Sequence, residues 1–283
     1  MRTLSVSALL FAAALTAGSS ADPAVATPAR KDAAQPAGTL RITGSSTMAP
    51  MLVDFARRFA TLHPAARIEV EAGGSARGIA DVMQGKADIA MVSRPMTGNE
   101  SSLYAFAIGR DGVSLVVHSN NPVRSLSNRQ VAEIYTGRIA SWKSVGGSDA
   151  PPAVINAQPG YASVELFTHF FNVKYEDIKA QAVAGENSAR VHSVVENPHG
   201  IAYVSVGAAQ RLAEAGAPIR LLPVDGVAAT QKNIRSGNFP ISRPLLLVTK
   251  DLPAGLAKEF IRFALSAQVT DIVTRHDFVP YLD

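Results

Sequence analysis

The chain is 283 residues long, 47% apolar and free of cysteine, with 27 Lys and Arg against 23 Asp and Glu for a net charge of +4. That length can bury a sizeable core and exceeds what one small domain needs, so two lobes are expected. A modest, scattered excess of positive charge argues against nucleic acid as a partner, and the lack of cysteine excludes a disulfide framework or a lipid carried on an N-terminal cysteine.

Residues 1–21 open with a basic Arg2, continue through an apolar core from Ala8 to Leu15 and end in small residues at Ser19-Ser20-Ala21. This is the pattern of a secretory signal peptide, with cleavage after Ala21 or, at Ala24-Val25-Ala26, after Ala26. The apolar run is too short for a membrane anchor. Export of a soluble chain without cysteine points to a Gram-negative periplasm. Residues 22–37 are rich in alanine, proline and threonine with no apolar period, and are expected to form a disordered leader.

The first structured stretch joins two periodicities. Leu40 and Ile42 alternate as in a strand, whereas Met51, Leu52, Phe55, Ala56, Phe59 and Leu62 recur at helical spacing. Between them lies Gly44-Ser45-Ser46-Thr47, a turn whose hydroxyls and helix-start N–H groups suit an oxyanion; the plainer reading is that Ser46 or Thr47 caps the helix. Ile68 and Val70 then alternate with charged residues as a strand. Gly73-Gly74-Ser75 leads into a helix carrying Ile79, Val82 and Met83, and the short strand Ala87 to Val92 ends at Ser93-Arg94-Pro95. Three hydroxyl-bearing turns after successive strands converge on one crevice in an open α/β sheet. Asp88 reads as a turn residue opening its strand.

Val113 to Val117 reads as a strand leading into His118-Ser119-Asn120-Asn121-Pro122, a turn-rich candidate hinge. Ser127 is expected to cap a helix to Tyr135, and Trp142 lies among polar residues. Ala153 to Asn156 is a strand, followed by Ala157-Gln158-Pro159-Gly160-Tyr161-Ala162-Ser163 and a helix bearing Val164, Phe167, Phe170 and Phe171. Ser188 is expected to cap a further helix, with strands at Ile201 to Val206 and Ile219 to Val224. The polar segment Ile234 to Pro244 returns the chain to the first lobe, where Leu245 to Thr249 and a helix from Gly255 complete it. Two crossovers make a clamshell: residues 38–117 and 242–283 as lobe 1, residues 118–241 as lobe 2.

With these pieces assembled, the chain resembles the phosphate-binding proteins that feed bacterial phosphate ABC transporters, within the type II periplasmic-binding-protein superfamily. The resemblance runs from about Thr39 to Leu282. It includes Gly44-Ser45-Ser46-Thr47, Gly74-Ser75, Ala87-Asp88-Ile89 with Ser93-Arg94, Ala107 to Gly112, Ser141-Trp142-Lys143, Asn233 to Gly237, Ser242-Arg243-Pro244-Leu245 and Phe278-Val279-Pro280. It implies an α/β clamshell, monomeric, holding inorganic phosphate or a related oxyanion in its cleft for an inner-membrane ABC permease. No cofactor or metal is implied. By position, the implied ligands are Ser46, Thr47, Ser75 and Ser93 in the first lobe.

The second lobe departs from the family. Where relatives carry an arginine followed four residues on by Ser-Gly-Thr, this chain has Ala157, then Tyr161, Ala162 and Ser163, so that Ser163 is the hydroxyl kept. Arg94 stands where many relatives have aspartate. A charge-assisted hydrogen bond contributes about 1.5–3 kcal/mol, so loss of the arginine alone weakens binding roughly ten- to a hundredfold. Arg77, Arg94 and Arg190 are the candidates to replace it, with Tyr161 as a further contact; alternatively, none does. The alternative function is a sensor or interaction protein of the same fold that has lost tight phosphate binding. An enzyme is disfavoured, because the six histidines are dispersed without metal-ligand spacing and no Gly-x-Ser-x-Gly elbow occurs.

Overall fold

Alternation builds the first strand of the computed structural model, which describes residues 36–281. The expected signal peptide (residues 1–21) and the leader as far as residue 35 lie outside the described residues. In β1 (Gly38–Gly44), Leu40 and Ile42 are buried while Thr39 and Arg41 face solvent. The period then changes. In α1 (Ala49–Leu62), Met51, Leu52, Phe55 and Phe59 form one buried face, and Pro50 occupies the first turn, where its missing N–H costs nothing. β2 (Ala66–Ala72) lies parallel to β1 on one side, and β3 (Ile89–Val92), reached through α2 (Ser75–Met83), lies parallel to it on the other. Asp88 is structural: its carboxylate accepts the Arg41 N–H at 2.7 Å.

β4 (Tyr104–His118) is the axis of the molecule. Its first part, Tyr104 to Gly112, pairs antiparallel with β9 (Ser242–Thr249), and its last part, Val113 to His118, pairs with β7 (Gly200–Ser205) and β8 (Ile219–Leu221). Beyond β4 come α3 (Asn128–Tyr135), β5 (Ala153–Ala157), α4 (Ala162–Phe171), β6 (Ala182–Ala184), α5 (Asn187–Val195), β7 (Gly200–Ser205), α6 (Val206–Glu214), β8 (Ile219–Leu221) and α7 (Gln231–Arg235). The chain then returns through β9 (Ser242–Thr249), α8 (Gly255–Ala264), α9 (Thr270–Arg275) and β10 (Val279–Pro280). The strand order is β2-β1-β3-β9-β4-β7-β5-β6, with β8 and β10 also paired to β4. This is a mixed α/β fold in which two sheets share one long strand.

Several local expectations need correction. The passage between sheets falls at Gly112 and Val113, inside β4, rather than at the turn after Val117, because the strand runs on through Arg110 and Asp111. Trp142 is fully buried, its indole N–H donating to the His199 carbonyl at 3.0 Å, so its ring belongs to the second core rather than to the polar surface suggested by the residues beside it in sequence. Ser188 does not cap α5, which begins at Asn187 after Glu186 with no side-chain cap.

Each sheet carries its own aromatic core. Beside β1 and α1, Phe59 meets Phe260 and Phe263 edge-to-face, both at 5.3 Å between ring centroids. Beside β7, Phe167 stacks on Tyr203 at 4.1 Å. Phe59 is fully buried, so Phe59→Ala is expected to cost about 3–5 kcal/mol of stability in urea unfolding. A loss below about 1 kcal/mol would mean that this cluster relaxes around the void.

Candidate functional site

Three turns that follow β1, β2 and β3 meet the start of α4 around a small polar cavity. Ser45, Ser46, Thr47, Ser75 and Ser93 line it from the first sheet, and Tyr161, Ser163 and Arg190 from the second. Two glycines let the backbones approach. Gly44 has φ +128°, and a Cβ there would lie 2.4 Å from the Met91 carbonyl oxygen; Gly74 has φ +93°, with the Gly160 carbonyl oxygen 2.7 Å from its missing Cβ.

The serines and threonine do not cap the helices they precede. α1, α2 and α4 all begin without a side-chain cap, whereas Ser127, Ser205 and Thr230 cap α3, α6 and α7 by accepting a backbone N–H. The first N–H groups of a helix have no intrahelical acceptor and carry partial positive charge. Around the cavity the hydroxyls are turned to other partners. Ser45 Oγ donates to Ser93 Oγ at 2.8 Å, Ser75 Oγ accepts the Ser93 N–H at 3.1 Å, and Thr47 Oγ1 accepts from Asn187 Nδ2 at 3.0 Å.

Of the three candidate arginines, one lies in the cavity. Arg190 is 1% exposed, and its guanidinium donates to neutral acceptors: Ser163 Oγ at 3.2 Å, Asn187 Oδ1 at 2.9 Å and the Tyr203 carbonyl. Among the described residues, no carboxylate pairs with it. Burial pushes its pKa down to about 10, still far above neutrality, so it carries a full charge with no counter-charge. Arg77 and Arg94 are corrections. Arg77 lies outside the cavity, half-exposed, bound to Glu71 at 2.6 Å and Asp81 at 3.4 Å. Arg94 is buried but taken up by Glu100 through two hydrogen bonds of 2.7 and 2.8 Å, with Glu165 Oε2 2.8 Å from its Nε. That last contact is an ion pair whose N–H is not aimed at the oxygen.

Sequence reasoning missed Arg243 and Asn187. Arg243, 2% exposed, donates from Nε and Nη2 to Asp111 Oδ2 at 3.1 and 2.7 Å, from Nη1 to Ser93 Oγ at 3.2 Å and from Nη2 to Thr47 Oγ1 at 3.1 Å. Arg243 and Asp111 both occur in stretches that carry the resemblance, and that was the available clue. Asn187 bridges Thr47 and Arg190, so the walls contributed by the two sheets are hydrogen-bonded to each other. Arg94 with Glu165, and the Ala76 N–H donating to the Gly160 carbonyl at 3.2 Å, join them again at the rim.

Two sheets sharing a strand, with a polar cavity where their helices begin, define a protein of the periplasmic-binding class. The chain belongs to the PBP superfamily, whose domain model matches residues 29–268. It is 27% identical over 252 residues to the phosphate-binding protein PstS of Bacillus subtilis strain 168, covering 87% of this chain and 82% of that protein. In structure it resembles a protein from Clostridium perfringens assigned as a phosphate ABC transporter substrate-binding protein and crystallised with bound phosphate. The TM-score is 0.79 at 32% identity, over 86% of this chain and 99% of that one. An ABC-type phosphate transport receptor from Vibrio cholerae matches with a TM-score of 0.71 at 27% identity, over 86% of this chain and all of that one.

The rim gives a pH prediction. Hydrogen bonding from the Arg94 guanidinium holds the Glu100 carboxyl below its ordinary value of 4.5, against the opposing effect of burial and with help from the Thr97 N–H. A carboxyl whose folded pKa is lowered contributes stability that is complete above the ordinary value and is lost as pH falls through the folded one. Glu100→Gln is therefore expected to lower stability by about 1.5–3 kcal/mol at pH 7. The gap from the parent protein should close as both are acidified below the ordinary value, as read by thermal melting across pH 7 to 3. A gap that stays constant would assign the loss to packing.

Proposed function

We propose that this chain is the solute-binding component of a phosphate ABC transporter, capturing inorganic phosphate in the cavity between its two sheets and presenting it to an inner-membrane permease. The observation that carries this reading is Arg190, a buried guanidinium without a carboxylate, set among hydroxyls and helix N-termini. An unpaired buried charge is costly, and a bound oxyanion offsets that cost while accepting the N–H and O–H groups around it. In this reading Ser46, Thr47, Ser75, Ser93 and Ser163 hold the anion with Arg190 and Arg243, and Tyr161 closes one side. Arg190 takes the part of the arginine whose aligned position is Ala157. The relatives named above are phosphate-binding transport proteins, and we read this chain as a binding protein rather than an enzyme.

The two sheets act as lobes that close on the ligand, residues 36–112 with 242–281 against 113–241, with β4 and the segment before β9 as crossovers. The protein works as a monomer in the periplasm, released there by its signal peptide. Among the described residues, no helix is long and apolar enough to cross a membrane.

The test is calorimetry of the purified protein with phosphate. Arg190→Met is expected to weaken binding roughly ten- to a hundredfold, and Arg190→Lys, which keeps the charge without the fork, by less. Melting curves check that both variants remain folded. Retention of parent affinity by a folded Arg190→Met protein would place the anion elsewhere. Closure is probed at the rim: Glu165→Gln removes an exposed ion-pair partner of Arg94, worth up to about 1 kcal/mol, and should speed phosphate release by up to about fivefold in stopped flow. An unchanged release rate would detach that contact from closure.

A further inference from the structure

The hydroxyl groups of the cavity are not free rotors. Asn187 Oδ1 accepts from Arg190 Nη2 at 2.9 Å and from the Ser205 N–H at 3.1 Å, which fixes the amide with Nδ2 toward Thr47. Thr47 Oγ1 thus receives hydrogens from Asn187 Nδ2 at 3.0 Å and from Arg243 Nη2 at 3.1 Å. A hydroxyl oxygen has two lone pairs, so both are taken, and the one hydrogen of Thr47 is left to donate. Ser93 Oγ is placed the same way, receiving Arg243 Nη1 at 3.2 Å and the Ser45 hydroxyl at 2.8 Å. Ser75 Oγ accepts the Ser93 N–H at 3.1 Å, and Ser163 Oγ accepts Arg190 Nη1 at 3.2 Å. Guanidinium, amide and hydroxyl donors fill both lone pairs of Thr47 and Ser93 and one each of Ser75 and Ser163, and the hydrogens of these four hydroxyls remain for a ligand.

No carboxylate is among the described residues that line the cavity. Asp111 lies behind Arg243, with Oδ2 bound to that guanidinium and Oδ1 accepting the Gly207 N–H at 3.2 Å. Glu100 and Glu165 are bound to Arg94. Every charged group among the described residues that line the cavity is therefore a cation, and the acceptors left to a ligand are neutral hydroxyl oxygens.

We infer that this site, whose charged groups are cations and whose remaining acceptors are neutral hydroxyls, reads its ligand mainly as an acceptor, so that a tetrahedral dianion with no proton of its own, sulfate, is taken alongside hydrogen phosphate. The inference rests on the reading above that the cavity binds an oxyanion. Hydrogen phosphate brings one O–H, which needs an acceptor; the lining offers it a spare lone pair on a neutral hydroxyl such as Ser75 or Ser163. A neutral hydrogen bond of that kind separates the two anions by roughly two- to tenfold. A carboxylate facing the ligand would separate them far more, because it would repel every oxygen of sulfate and bond only to the protonated one of phosphate. Size gives little discrimination between two tetrahedral oxyanions.

The experiment is paired calorimetry at pH 8, where phosphate is mainly the hydrogen dianion, on full-length mature protein freed of bound anion by unfolding, dialysis and refolding. Phosphate and sulfate are titrated separately at one ionic strength set with chloride, and a melting curve verifies refolding. Sulfate binding within about twentyfold of phosphate is the expected result. Phosphate binding with sulfate weaker by more than that overturns the inference and leaves the phosphate reading standing. Sulfate binding without phosphate binding supports recognition of the ligand mainly as an acceptor and overturns the phosphate reading. Binding of neither by the refolded protein overturns both.

Discussion

A positive charge buried without a negative partner is the constraint around which this molecule is arranged. Arg190 lies on α5 within the second core, and its guanidinium reaches Ser163 on α4 and Asn187 one turn back. Taking a cation out of water is tolerated only where hydrogen bonds and a counter-charge compensate. The protein supplies the bonds, all to neutral oxygens, and among the described residues no carboxylate supplies the counter-charge; in the function proposed above, a bound oxyanion does. Arg243 is the contrasting case: equally buried, it has Asp111 as a fixed partner and serves mainly to orient Thr47 and Ser93. In that proposal one arginine sets the demand for an anion, and the other sets the geometry that meets it.

The same division of labour explains the turns. Serine and threonine ahead of a helix ordinarily accept its first N–H groups, as Ser127, Ser205 and Thr230 do here. At the three helices around the cavity this does not happen, and the hydroxyls are instead drawn into a network anchored by Arg243, Arg190 and Asn187. Helix N–H groups and hydroxyl hydrogens are then presented to the same small space. The close backbone contacts at Gly44 and Gly74 are what make that space small.

Much of this was legible in the sequence, for reasons that can be located. The change from alternation in Leu40 and Ile42 to helical spacing in Met51, Phe55 and Phe59 brackets the first turn, and the same change recurs around Ser75. The three candidate arginines look alike in sequence, yet two carry their explanation nearby. Asp81 follows Arg77 at helical i,i+4 spacing, and Glu100 lies six residues beyond Arg94. Arg190 has Glu186 four residues before it and Glu196 six residues after it, yet it meets only the backbone carbonyl of the first, and the second pairs with His192, so its lack of a carboxylate partner shows only in the structure. The pairing of Asp111 with Arg243 spans 132 residues, and no local pattern announces it. For the same reason the first part of β4 was missed: the strand reading starts at Val113, and Asp111 fits inside a sheet only once the opposite strand supplies its partner.

That shared strand has a mechanical meaning. Because β4 runs from one sheet into the other, rotation of one against the other is taken up at this crossover as torsion of a hydrogen-bonded ladder, whereas the second crossover, before β9, is a turn. A loop moves in many directions, whereas a strand held by neighbours along its length has one soft mode, twist about its own axis. The deformation is spread over many peptide units, each changing by a few degrees, so no residue need leave its preferred dihedral basin. Such an element behaves as a torsion bar, with a stiffness set by packing along its flanks and a rest angle set by strand twist. Substitutions along its flanks, remote from any ligand contact, would then tune how readily the molecule opens.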